Sequence, residues 1–201
     1  MRIMNYQNKL IELVNSLTKR PKLLLHSCCG PCSTTVLSFL KDYFDIIVLY
    51  YNPNIEPLAE YEKRKSEQIR FINELNDPFV KFRDCDYDNV SFKNATVGLE
   101  KEKEGGARCS VCFKLRLEKT AQLAKDENFD YFGTTLTVSP YKNSRIINEI
   151  GAFLEQAYGV QYLYSDFKKN DGYKKSIELS HKYNLYRQNY CGCLYGRDLD
   201  V

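Results

Sequence analysis

Eight cysteines stand in the 201 residues of this chain, and their spacing sorts them into groups. Cys28, Cys29 and Cys32 share one short stretch, Cys109-Ser-Val-Cys112 is a CxxC, Cys191-Gly-Cys193 is a CxC, and Cys85 stands apart. Thiolates bind soft metals and exchange with disulfides, so these groups point to metal or redox chemistry. A CxxC alone is shared by zinc sites, iron–sulfur sites and thioredoxin-like disulfides. The vicinal pair is more restrictive. Adjacent side chains of an extended chain point to opposite faces, so Cys28 and Cys29 can meet at one centre only across a turn, which Gly30-Pro31 supplies; otherwise they serve neighbouring centres. Two such pairs offer four thiolates, enough for a cuboidal iron–sulfur cluster or a closed zinc site. A chain of this length does not need a metal to fold, which favours the iron–sulfur reading. The CxC closes a small, strained ring, and strained disulfides are the labile ones. Cys191 and Cys193 are therefore read as a dithiol–disulfide couple, with completion of a metal site as the alternative. Cys32 is a helix-start thiol or a ligand to an extra metal, and Cys85 a small buried apolar group. His26 reads as a hydrogen-bonded core residue and His181 as part of a polar helix, so no histidine metal motif is present.

The elements that must position these thiols follow from periodicity. Leu10, Leu13, Val14 and Leu17 predict a leading amphipathic helix over residues 5–18. Leu23, Leu24 and Leu25 form a buried-strand run that ends in the cysteine turn, and Pro31 suits the start of the next helix, whose apolar face is Val36, Leu37, Leu40 and Phe44. Ile46-Ile47-Val48-Leu49-Tyr50 is a second buried strand. A long helix is predicted from Asn54 and Pro57 to about Asn76, with Lys63, Arg64, Lys65 and Arg70 on a solvated face or against nucleic acid. A third strand spans Phe79 to Asp84, and Asp86 to Glu104 is a polar helical or loop insertion ending at Gly105-Gly106. The CxxC then falls at the start of a helix running to about Asn128, where the dipole favours thiolates. Tyr131 to Thr135 is a fourth strand, a helix is predicted from Ser139-Pro140-Tyr141, Gln161 to Tyr164 is a fifth strand, and Asp171 to Asn184 a last helix. The irregular YRQNYCGCLYG reads as a loop closing over the sheet edge. Alternating strands and helices predict a parallel α/β sheet, and its sites belong at the carboxyl ends of the strands. The first strand ends in cysteines where a glycine-rich phosphate loop commonly sits.

Composition sets the outer bounds. At this size one domain over residues 1–201 is expected, burying roughly 70% of the surface its unfolded chain exposes. The net charge of +3 is compatible with a polyanionic partner without requiring one. Close cysteine spacings differ from a secreted disulfide framework, and the N-terminal stretch mixes polar with apolar residues. The expectation is a reduced, cytoplasmic protein without signal peptide or membrane span.

Five ordered blocks, LHSCCGPC, YYNPNIEPLAEYEKRK, ARCSVCFKLRLEKTA, FDYFGTTLTVSPYKNSRIINEIG and YRQNYCGC, together resemble the QueH family of epoxyqueuosine reductases over nearly the whole chain. The resemblance implies a three-layer Rossmann-like fold of the adenine nucleotide α-hydrolase kind, with helices on both faces of a parallel sheet. CCGPC replaces the SGGxDS phosphate loop of ATP-using relatives, which disfavours ATP chemistry. It also implies reduction of epoxyqueuosine to queuosine at the wobble position of a tRNA anticodon, the last step of that modification. A [4Fe-4S] cluster is carried over to Cys28, Cys29, Cys109 and Cys112, and a redox-active catalytic pair to Cys191 and Cys193. At the position of Cys32 members of the family vary and an aspartate can stand; an additional mononuclear iron would use it. Turning the epoxide into an alkene consumes two electrons and two protons and releases water, so an electron donor is a required partner. Candidate proton donors are a thiol of Cys191 or Cys193 and the hydroxyl of Tyr141 or Tyr190. Unstacked anticodon bases are read by aromatic stacking and basic contacts, and Tyr141, Lys142, Arg145, Arg187 and Tyr190 are the candidate tRNA-binding residues. Two other classes stay open on the residues: a zinc-bound nucleic-acid adaptor and a cytosolic thiol–disulfide oxidoreductase.

Overall fold

The computed structural model describes residues 5–196 and contains a five-stranded parallel sheet covered by helices on both faces. Helix α1 (Tyr6–Ser16) is capped by Asn5, whose side chain accepts from the backbone N–H of Gln7 and Asn8. Strand β1 (Lys22–His26) leads through the cysteine turn into α2 (Gly30–Leu40), with Cys29 at the cap position and Pro31 in the first turn. There follow β2 (Asp45–Tyr50), α3 (Leu58–Leu75), β3 (Val80–Asp84), the short α4 (Asn89–Ala95), α5 (Ala107–Asp126), β4 (Tyr131–Thr134), α6 (Ser144–Tyr158), β5 (Gln161–Tyr162) and α7 (Gly172–Lys182).

The strand order is β3-β2-β1-β4-β5, with β1 flanked by β2 and β4. Because side chains alternate across a strand, β1 feeds both cores. Leu23 and Leu25 pack with Leu10, Val36, Leu37, Leu40 and Phe71 on the side of α1, α2 and α3, while Leu24 packs with Phe113, Leu117, Phe132, Ile147 and Leu154 on the side of α5 and α6. This is the three-layer Rossmann-like α/β arrangement expected from the resemblance. The chain order reverses between β1 and β4, and the crevice outside their carboxyl ends is the site this topology creates.

One local expectation changes and two become specific. Ser139-Pro140-Tyr141 does not open a helix: Ser139 is extended, as a residue before proline prefers, and α6 begins only at Ser144, where the Asn143 side chain caps Arg145 and Ile146. A 3-10 turn, Leu136–Val138, fills the gap, which leaves Tyr141 and Lys142 in a loop. The polar insertion contains α4, started by Asp88, whose carboxylate accepts from Ser91 N–H at 3.2 Å. The CxxC lies in the first two turns of α5, with Cys109 its third helical residue.

Candidate active site

The turn that carries Cys28, Cys29 and Cys32 is held by buried polar groups. Ser27 Oγ donates to Gln68 Oε1 at 2.7 Å, Gln68 Nε2 donates to Ser33 Oγ at 2.9 Å, and Asn52 Nδ2 donates to the Ser27 carbonyl at 2.9 Å. His26 is buried beneath it. Its Nε2 donates to the Tyr51 carbonyl at 3.1 Å and its Nδ1 lies 2.9 Å from the Thr134 hydroxyl; burial lowers its pKa to about 3, so it is a neutral positioning residue, as its strand setting suggested.

On this scaffold the sulfurs of Cys28, Cys29 and Cys32 all lie within 4.8 Å of one another, and Cys28 Sγ is 3.7 Å from Cys29 Sγ. With α2 starting at Gly30, its first turn carries Cys32 back to the sulfurs of Cys28 and Cys29. Cys28 is the natural thiolate of the three. Hydrogen bonds from Cys29 and Cys32 hold its pKa well below the ordinary thiol range against the cost of burial; the bond to Cys28 pushes Cys29 up to about 12, and the bonds to Cys28 and Cys29 push Cys32 well above its ordinary value. Three converging sulfurs with one preferred anion form a donor set suited to a soft metal ion.

Cys28 and Cys32 open into a cavity of about 410 Å³ whose lining includes Asn52, Asn54, Arg64, Arg116, Lys142 and Cys191. Behind it a pocket of about 20 Å³ is lined by Cys109, Cys112, Cys191 and Cys193, with Arg108 and Arg116. Cys191 borders both, so seven of the eight cysteines converge on the carboxyl edge of the sheet. The converging set joins Cys32 more tightly to Cys28 and Cys29 than it joins the CxxC, which adjoins the CxC instead. The dipole of α5 does not dominate at the CxxC: burial pushes Cys109 up and Cys112 up to about 12. Cys85, just past the end of β3, lines neither cavity and is partly buried against the second core, in keeping with its reading as a small apolar group.

The closing segment is bolted to α3. Arg64, 2% exposed, pairs with Glu60 at 2.7 Å, donates to the Cys191 carbonyl at 3.1 Å, and lies 4.8 Å from the centroid of the Tyr190 ring. Arg70 donates to the carbonyls of Tyr183 and Asn184, and Glu67 accepts from Tyr186 N–H at 2.7 Å. The solvated or RNA-facing role expected for the basic residues of this helix is thus corrected for Arg64 and Arg70, which clamp backbone. Arg64 was legible as an exception, since it sits on the buried stripe Tyr61, Arg64, Gln68, Phe71.

Of the residues expected to meet RNA, Tyr141 is 75% exposed at the cavity rim. Lys142 lines the cavity, and its proximity to the sulfurs of Cys191, Cys28 and Cys32 holds its pKa above the ordinary range despite the opposing effect of burial. Arg187 lines it while donating to Ser180 Oγ at 3.0 Å, and Tyr190 lines it with its hydroxyl donating to the Glu56 carbonyl at 3.4 Å. Arg145 is exposed, pairs with Glu149 at 3.6 Å, and is not part of the cavity wall. Asn52 Oδ1, Asn54 Oδ1, Gln188 Oε1 and Arg116 Nη2 are buried in the same lining without a hydrogen-bond partner. None of the four was singled out as a site residue in the sequence; Asn54 entered only as the start of the predicted long helix.

A parallel Rossmann-like sheet whose switch point carries a cluster of cysteines in place of a phosphate loop defines a thiol-based catalyst or metal-binding protein of the α/β class. A solved structure described as a predicted subunit of a tRNA methyltransferase from Methanocaldococcus jannaschii shares the fold, with a TM-score of 0.50 at 16% identity over 79% of this chain and 74% of the other. The family described as Epoxyqueuosine reductase QueH matches residues 23–198. Proteins named Epoxyqueuosine reductase QueH include one from Staphylococcus epidermidis, 45% identical over 95% of this chain and 84% of its own length, and one from Streptococcus pyogenes, 47% identical over 88% and 70%. One from Thermotoga maritima is 35% identical over 86% of this chain and 88% of its own. The chain belongs to the epoxyqueuosine reductase QueH family and is an oxidoreductase. No helix among the described residues is long and apolar enough to cross a membrane.

Proposed function

We propose that this chain, acting as one domain in the cytoplasm, reduces the epoxide of epoxyqueuosine at the wobble position of tRNA to the alkene of queuosine. The observation that carries the reading is the convergence of seven thiols on the switch-point cavity. The reaction takes up two electrons and two protons and releases the epoxide oxygen as water. No side chain in the cavity can supply both electrons and be restored without an outside reductant, so a partner donor is part of the reaction.

The donor set suits an iron–sulfur group: all-sulfur, partly buried, and flanked by Arg116 and Lys142, whose charge balances thiolates. The proposed ligands of a [4Fe-4S] cluster are Cys28, Cys29, Cys109 and Cys112, with Cys32 available to an additional iron. When bound, such a cluster passes electrons singly and so divides a two-electron reduction into steps. The chain's own residues do the rest. Tyr141 at the rim and Arg187 and Tyr190 in the wall receive the extruded nucleoside, by stacking and by contact with phosphate. The unpartnered oxygens of Asn52, Asn54 and Gln188 accept hydrogen bonds from its N–H and O–H groups. Arg64 holds the Cys191 backbone so that the Cys191 thiol faces both cavities, where the Cys191 and Cys193 pair can deliver a proton or cycle as a dithiol. The test is anaerobic preparation followed by assay of iron, acid-labile sulfide and zinc. Iron with sulfide supports the reading, and zinc alone, or no metal, defeats the cluster.

A further inference from the structure

Arg116 projects from α5 and is 1% exposed. Its Nε donates to the Cys112 carbonyl at 3.1 Å, while Nη2 is buried with no acceptor at all. Among the described residues no Asp or Glu forms an ion pair with it. The neighbouring Arg108 shows the contrast: also buried, it donates to the carbonyls of Leu99, Glu100 and Glu102, and so is a satisfied clamp. Taking an unpaired guanidinium out of water costs several kcal/mol, and arginine cannot discard its charge. A fold that keeps one there has an anion for it.

Among the described residues the anionic candidates that act on Arg116 are sulfurs: Cys112, Cys191, Cys28 and Cys109. It also lines both cavities, as do Cys191 and the exposed Glu104, so it stands in the wall between the two cysteine groups. Protonated thiols leave Nη2 unsatisfied. Thiolates bound to a metal centre satisfy it, because such a centre carries net negative charge.

We infer that Arg116 is the counter-cation of the metal–thiolate centre, placed between the two cysteine groups to hold the centre in the protein and to set its reduction potential. It is a positioning residue: it reaches the centre by charge and need not touch substrate. Each electron accepted adds one negative charge to the centre without making or breaking a bond, and a fixed positive charge at the wall favours that state. Its removal therefore moves the midpoint to more negative potential. The inference rests on the metal reading above.

The experiment compares the parent chain with Arg116→Gln and Arg116→Lys, all prepared anaerobically. Iron and sulfide content, the rate of iron loss to a chelator, and the midpoint from a dithionite titration followed by electron paramagnetic resonance are recorded, with circular dichroism as the check on folding. Arg116→Gln is expected to lose iron about tenfold faster or more, the scale of a lost charged hydrogen bond, and to shift its midpoint negative. Arg116→Lys, which keeps the charge, is expected to recover most of both. Should Arg116→Gln be isolated without iron while Arg116→Lys retains it, the charge is again what holds the centre. Parent-like chelator resistance and midpoint in Arg116→Gln overturn the inference and leave the metal reading standing, as does loss of the centre in both variants, since shape rather than charge would then be required. A parent chain without metal overturns both.

Discussion

Gly192 separates the two cysteines of the CxC, and its replacement by alanine tests how the closing segment is held. Its φ of +107° lies where only glycine is at ease, and a non-glycine residue held there costs about 1–3 kcal/mol. An added Cβ would also stand 2.9 Å from Ile55 Cγ1 and 3.1 Å from Arg64 Nη1, and crowding of that kind costs about 1–3 kcal/mol more. Against a total of about 2–6 kcal/mol stand the bonds that dock the segment here. The Gly192 carbonyl accepts from Glu56 N–H at 2.9 Å and the Cys191 carbonyl accepts from Arg64 at 3.1 Å, together about 2–4 kcal/mol. The penalty is comparable to these two bonds, whereas the two cores of the sheet do not involve Gly192. Gly192→Ala should therefore loosen the closing segment around Cys191 and Gly192 from α3 without unfolding the sheet, while the Tyr186 N–H stays held by Glu67. Hydrogen exchange should rise at Glu56 N–H and around Cys191 and Gly192 while β1 and β2 stay protected, and turnover should fall. Gly98→Ala is the control, because Gly98 has a φ of +81° but nothing within 4 Å of the point an alanine Cβ would occupy, so it carries strain without crowding. Parent-like exchange at Glu56 together with full turnover in Gly192→Ala would refute the docking argument.

Three further outcomes follow from the same geometry. Cys109→Ser and Cys112→Ser should each bleach the visible sulfur-to-iron absorption while leaving helical circular dichroism largely intact, since neither strand nor helix is built on the metal; full retention of iron in both removes them as ligands. The Cys191→Ser/Cys193→Ser double variant should keep its iron and lose turnover, and loss of iron would make the pair ligands. Glu67 has its pKa held below the ordinary carboxylate range, first by Arg70 and then by the Tyr186 N–H. Its stabilising contribution is therefore present above the unfolded carboxylate pKa and lost as pH falls through the folded one. Glu67→Gln should lower the urea midpoint at neutral pH and narrow its difference from the parent on acidification; an equal deficit at both pH values contradicts the assignment.

The sheet and the cysteine turn were legible because their signals are carried by side chains. The continuous apolar run of β1 reads as a strand buried on both faces, and Pro31 marks the start of α2. The later start of α6 was hidden by two competing caps, Ser139 before proline and Asn143, of which the second closes its hydrogen bonds. The closing segment was legible only as a loop. Its partners Arg64 and Arg70 grip backbone carbonyls, and a carbonyl leaves no mark in the residue sequence. Arg64 and Arg116 share one overlooked signal: each is an arginine at helical spacing among buried residues, Tyr61 and Gln68 around the first, Cys112, Leu117 and Thr120 around the second. A charge on a buried stripe has a partner that periodicity does not name. The division of thiols between two adjoining cavities also depends on how α5 and the closing segment meet, a long-range contact beyond local pattern.

Epoxide reduction on tRNA by a thiol-held metal centre is decided by mass analysis of nucleosides. The anaerobic, iron-loaded chain is incubated with epoxyqueuosine-bearing tRNA and a low-potential reductant, and the tRNA is then digested. Loss of the epoxyqueuosine peak and gain of a queuosine peak lighter by one oxygen are expected, with no conversion when the reductant is omitted. Epoxyqueuosine left intact across the queuosine-type tRNAs and with several electron donors, by protein shown to carry its iron and sulfide, would contradict the proposed reaction.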